Sequence, residues 1–127
     1  MNSIRVSVAL CCLGAGGVAV AGERLDYSVR IDPVFRYAYA SMAGARSSPD
    51  STQRAKCSVI ATQVNLLGVC DFVDAEGVSA KCTTTHQFLL EAIKTVNGDS
   101  YVYFAWNPEG LCTRIDVENG SPFGPKI

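Results

Sequence analysis

The chain has 127 residues, 48% of them hydrophobic and 18% charged, and its 11 basic and 12 acidic residues leave a net charge of −1. Without a basic stripe, that balance argues against nucleic acid as a partner. It names no substrate, so function has to be sought in motifs.

The first segment reads as an export signal. Arg5 supplies a cation, residues 6–20 carry no charge, and Ala19, Val20 and Ala21 place small residues where a signal peptidase reads, which predicts cleavage after Ala21 and a mature domain over residues 22–127. A membrane anchor would need roughly 20 continuous apolar residues, whereas this run is thinned by Gly14, Gly16 and Gly17 before Glu23 and Arg24. No integral membrane segment is therefore expected after cleavage. Leu10 before Cys11 argues against a lipid-modified cysteine, and Cys11 and Cys12 leave with the signal. The expected location is secreted or periplasmic.

Removing Arg5 with the signal leaves ten basic residues against twelve acidic ones, a mature net charge of about −2. Four cysteines remain, Cys57, Cys70, Cys82 and Cys112. Their even number and an oxidising compartment predict two disulfides, each adding about 2–4 kcal/mol. A zinc site is disfavoured because no C-x-x-C knuckle occurs.

In chain order, residues 34–42 alternate and predict a strand after Pro33, with Phe35, Tyr37 and Tyr39 on one face. Residues 43–55 are read as a mobile surface loop for their Gly, Ser, Pro and Asp. Residues 57–63, 68–74 and 78–84 read as strands, the last two joined by a loop in which Gly77 takes the left-handed conformation. Pairing Asp74 with Val78 puts Phe72 opposite Ala80, Asp71 opposite Lys81 and Cys70 opposite Cys82. Four cysteines allow three connectivities, among which we favour Cys57 with Cys70 and Cys82 with Cys112.

A helix follows. Thr84 and Gln87 form a capping box, Phe88, Leu89, Ala92, Ile93 and Val96 make one apolar stripe, and Asn97-Gly98 ends it. Residues 100–106 and 111–118 flank the turn Asn107-Pro108-Glu109-Gly110 and predict a hairpin. If Trp106 pairs with Leu111, then Val102, Phe104 and Trp106 share a core face with Thr113, Ile115 and Val117, while Tyr101, Tyr103 and Cys112 lie opposite with Arg114 and Asp116. Strands, one helix and a terminal hairpin predict an α+β domain, mainly antiparallel sheet with one amphipathic helix, held by disulfides.

At Asp99, Ser100, Tyr101, Phe104 and Trp106, and then at Cys112, Thr113, Ile115 and Val117, the chain resembles small uncharacterised secreted bacterial proteins. These share a DS-x-F-x-W pattern, from which this chain departs by two extra residues between Ser100 and Phe104, followed by CT-x-I-x-V. The likeness runs roughly from Cys57 to Lys126. It implies export, spaced cysteines and a terminal hairpin, and it carries no catalytic residue.

Chemistry is sparse. His86, the single histidine, reads as a surface residue of the first helical turn, and a Cys-His nucleophile would need a thiol that two disulfides consume. Asp71, Asp74 and Glu76 cluster near one hairpin without the oxygen-ligand spacing of a calcium loop. No G-x-S-x-G elbow, phosphate loop or H-E-x-x-H helix occurs. Asn119-Gly120-Ser121 matches a glycosylation triplet but reads as a polar turn. No catalytic residue, metal site or cofactor is expected. Aromatic side chains can stack on sugars or anchor a protein, and among them Tyr101 and Tyr103 are the candidate contact surface. The expected role is a non-enzymatic binding or interaction domain for an unknown protein or glycan. A subunit of an extracellular assembly is the alternative, and a small secreted enzyme or toxin a lesser one.

Overall fold

A computed structural model describes residues 22–123; the expected signal at 1–21 and the tail at 124–127 lie outside the described residues. Seven strands form two antiparallel sheets. The first has the order β1-β2-β6-β7, from β1 (Arg30–Asp32), β2 (Tyr37–Ser41), β6 (Ser100–Trp106) and β7 (Cys112–Asn119). The second is β3-β4-β5, from β3 (Arg54–Ala61), β4 (Leu66–Val73) and β5 (Ser79–Thr84). Among the described residues there are two α-helices, α1 (Met42–Arg46) and α2 (Gln87–Lys94), and a closing 3-10 turn, Ser121–Phe123. None is long and apolar enough to cross a membrane.

The core lies between the inner faces of the two sheets. Ala38, Ala40, Val102, Phe104 and Ile115 meet Cys70, Phe72, Ala80 and Cys82 there. Phe72 and Phe104, both fully buried, touch edge to face with centroids 4.9 Å apart, the arrangement that ring quadrupoles favour. Helix α2 packs against β3, β4 and β7. Gly68 of β4 makes its seat: a Cβ there would lie 2.6 Å from the tip of Ile93 and 3.0 Å from that of Leu90.

The β4–β5 hairpin has the expected register, Cys70 with Cys82, Asp71 with Lys81 and Phe72 with Ala80. Its turn is closed by the Asp74 amide donating to the Val78 carbonyl at 2.9 Å, and Gly77 sits at φ 83°. Two disulfides are formed. Cys57–Cys70 bridges neighbouring strands of the second sheet, and Cys82–Cys112 ties that sheet to β7 of the first.

Four expectations need correction. The stretch 43–55 is not one loop. Ser41 caps α1 by accepting from the Gly44 amide, Ala43, Gly44 and Ala45 are buried, and β3 already begins at Arg54. The strand expected at 34–42 starts only at Tyr37, because Asp32 accepts the amides of Val34 and Phe35 and turns the chain, leaving Phe35 77% exposed.

Helix α2 begins two residues later than a Thr84 cap implies. His86 caps it, its Nδ1 accepting from the Phe88 amide at 3.2 Å, while Thr84 accepts from the His86 amide instead. Phe88 is then 74% exposed, and Leu90 takes its place beside Ile93 in the core.

In the last hairpin Trp106 pairs with Cys112, not Leu111. Ala105 pairs with Arg114, so Thr113 is the extra residue of a bulge. The bulge turns Cys112 inward, where it is buried and reaches Cys82, and leaves Thr113 exposed.

Candidate binding surface

The outer face of the four-stranded sheet collects all five tyrosines of the chain. The reason is strand periodicity. In β2, Tyr37-Ala38-Tyr39-Ala40 buries both alanines, and in β6, Tyr101-Val102-Tyr103-Phe104 buries Val102 and Phe104. Successive side chains point to opposite faces, so the four tyrosines point outward. Antiparallel pairing then sets Tyr39 opposite Tyr103, Tyr37 opposite Ala105 and Ser41 opposite Tyr101. Tyr27, just before β1, joins the group because its carbonyl accepts from the Ser41 amide at 3.0 Å and its own amide donates to Ser41 Oγ.

The rings form a continuous plate. Tyr37 stacks on Tyr103 at 5.7 Å and on Tyr39 at 6.5 Å. Tyr27 meets Tyr101 edge-on at 5.0 Å, and Phe123 of the closing turn stacks on Tyr101 at 5.7 Å while lying 6.3 Å from Tyr27. Tyr27, Tyr37, Tyr39, Tyr101 and Tyr103 are all half-buried, each offering part of a ring to solvent.

Charged residues of the edge strands frame the plate. Arg30 and Asp32 of β1 stand opposite Tyr39 and Tyr37. On the far side Arg114, Asp116 and Glu118 of β7 stand opposite Ala105, Tyr103 and Tyr101. The Arg114 guanidinium grips both carboxylate oxygens of Asp116, at 2.9 and 2.8 Å, and lies 5.5 Å from the centre of the Tyr103 ring. This is a cation held over an aromatic face. The two hydrogen bonds to Asp116 hold the Arg114 guanidinium above its ordinary range.

Burial pushes the Tyr101 phenol up to about 12, with Tyr39, Tyr27 and the carboxylates of Glu118 and Asp116 adding to it. Tyr37 is raised by desolvation and by Asp32. The plate can therefore offer hydrophobic ring faces, neutral hydroxyls at Tyr37 and Tyr101, and on its β7 side an Arg114–Asp116 pair whose charges compensate each other.

Tyr101 and Tyr103 thus lie on the solvent side, joined by Tyr37 and Tyr39, which the sequence places on a face with Phe35. Tyr27 falls outside every element that the sequence predicts. Its proximity comes from the Ser41 contact, which has no sequence signal, whereas the Tyr-Ala alternation of β2 did hold the cue: small alanines fit between packed sheets and tyrosines do not. Trp106 is on the other side, 5.5 Å from Phe104 and packed on the core.

The remaining candidates are spread out. His86 is a helix cap. Asp71 pairs with Arg54 at 3.1 Å, and Asp74 accepts the amides of Glu76 and Val78 within its turn. All four cysteines of the described residues are in disulfides. Asn119 is engaged, bonded to Ser100 and donating to the Thr95 carbonyl at 3.2 Å. Among the described residues no group of three or more His, Cys, Asp or Glu is placed to hold a metal ion. The chain matches no protein-family model, no curated protein and no solved structure.

Proposed function

We propose that this is a non-catalytic binding domain that works outside the reducing cytosol, secreted or periplasmic, and that its contact surface is the tyrosine plate. The observation that carries the reading is the gathering of all five tyrosines on one sheet face, flanked on the β7 side by the Arg114–Asp116 ion pair. Burying such a plate in the core would need no such frame, and tyrosine supplies large contact area together with a hydrogen-bonding tip. Two disulfides and the uncharged, apolar run of residues 6–20 support the compartment. The partner has a flat, weakly charged face, a glycan or a protein surface.

The test is retention of the mature domain on immobilised envelope polysaccharides and, separately, on exported proteins of the same cell. Tyr37→Ser and Tyr103→Ser, each checked for intact disulfides and unchanged circular dichroism, are expected to lose retention by about tenfold or more, while Glu76→Ser keeps it. Equal retention by all three variants, or no retention by the wild type on either support, would contradict the reading. The support that retains the domain tells glycan from protein.

A further inference from the structure

A second surface lies away from the plate, along the outer edge of β3. A groove of about 470 Å³ runs there between β3, α1 and the end of α2. Its lining includes Arg54 and Lys56, which point to the outer face of the sheet, together with Ala55, which points to the inner one. A cavity touching both faces of one strand lies against that strand's edge.

That edge is unpaired among the described residues, since β3 is terminal in the order β3-β4-β5. The polarity of its backbone follows from the ladder. Cys57 and Cys70 are opposite each other with Cα atoms 4.1 Å apart, the separation of a non-hydrogen-bonded antiparallel pair. Ala55, Cys57 and Val59 therefore aim their N–H and C=O groups away from β4, and no described residue bonds them. An open strand edge is a template for another strand.

Charge narrows the occupant. Arg46, Arg54 and Lys56 line the groove, and no Asp or Glu does. Arg46 spends one N–H on the Gly98 carbonyl and Arg54 one on Asp71, while Lys56 has no partner among the described residues. Met42, Ala55 and Val96 supply apolar lining on the opposite side. A strand laid along this edge would meet cations with one set of alternate side chains and apolar groups with the other. Pairing β3 with a second copy over this stretch would set Arg54 and Lys56 against their own counterparts, which like-charge repulsion disfavours.

We infer that the β3 edge binds an extended segment of a partner protein in which acidic and apolar residues alternate, added as a fourth strand to the second sheet. This site is independent of the tyrosine plate, and so is its test.

The probe is the peptide Ac-Glu-Val-Glu-Val-Glu-NH2, titrated into the 15N-labelled mature domain. Saturable binding is expected, with the Ala55 and Cys57 amides becoming protected from hydrogen exchange. The Lys-Val analogue and a fully N-methylated version should not bind. Arg46→Ser with Lys56→Ser should weaken the acidic peptide about tenfold, while Tyr37→Ser leaves it unchanged. Three outcomes overturn the proposal: no binding or no preference for the acidic peptide; equal binding of the N-methylated version, which would mark a site for carboxylates alone; or protection of the two amides in concentrated protein without peptide, which would make a second copy the occupant.

Discussion

Phe88 and Leu90 show how a helix can be read correctly as amphipathic and still be placed a step out of rotation. The stripe that includes Phe88 and the one that includes Leu90 share Leu89, Ile93 and Val96, and helical periodicity admits both. What decides between them is Gly68, whose bare backbone accepts Leu90 and Ile93 together. That strand is remote in sequence, so the choice was not legible there. Phe88→Ser is expected to change stability by no more than about 0.5 kcal/mol, whereas Leu90→Ala should cost about 2–5 kcal/mol. Urea unfolding of the two variants checks this, and a reversed order would return Phe88 to the core.

Tyr101 carries a pH signature. Its phenol is raised from 10 to about 12 in the folded domain. Both states keep the proton below pH 10, so the stabilisation is fully present there. Between pH 10 and about 12 the unfolded chain gives up its proton first, and stability falls as pH rises through that window. Absorbance at the phenolate band should show one tyrosine titrating near the top of that range, and Tyr101→Phe should remove that step and flatten the decline.

Among the elements, those fixed by local chemistry were the legible ones. Asp74 and Gly77 set the β4–β5 turn, and the turn set the register, because in a hairpin loop geometry and pairing determine each other. The β6–β7 turn was equally plain: Asn107 accepts the amides of Glu109 and Leu111, and Gly110 sits at φ 82°. The bulge beyond it was not visible, and it changes the side of one decisive residue, Cys112.

Helix α1 was hidden for a different reason. Five residues, Met42–Arg46, are too few for a helical period to show, and Ser41, Gly44 and the polar run after them carry loop composition. Gly44 has a specific role in it, since a Cβ there would lie 2.4 Å from the Tyr27 carbonyl oxygen. This close approach docks the Tyr27 segment on α1.

The disulfides are expected to differ in weight. Closing sequence separations of 13 and 30 residues, they should contribute roughly 3 and roughly 3.6 kcal/mol by loop-closure entropy. Cys82→Ala with Cys112→Ala also unties the two sheets, so it should lower the denaturant midpoint more than Cys57→Ala with Cys70→Ala. The opposite order would show that the β3–β4 staple governs stability.

At the scale of the whole molecule, the α+β, mainly antiparallel, disulfide-bonded domain was readable from patterning, because alternation, turns and an even set of cysteines are local or compositional properties. The division into two sheets was not, since it rests on β2 pairing with β6 across more than half the chain. The same pairing assembles the candidate surface. Tyr101 and Tyr103 were legible as outward-facing from one strand alone, but the plate exists only because β2 brings Tyr37 and Tyr39 beside them and Ser41 brings Tyr27.

We propose the plate as the place where the domain meets its partner. The most direct measurement places a photo-crosslinking amino acid at Ala105, on the same outer face and opposite Tyr37, and as a control at Glu76 in the β4–β5 turn, in protein expressed in its own host. Adducts are then read by mass spectrometry. A discrete adduct from position 105 and none from 76 is expected, carried by a chain that begins at Gly22 and is lighter by four hydrogens before reduction. Adducts of equal yield at both positions, or none at 105, would contradict the proposal.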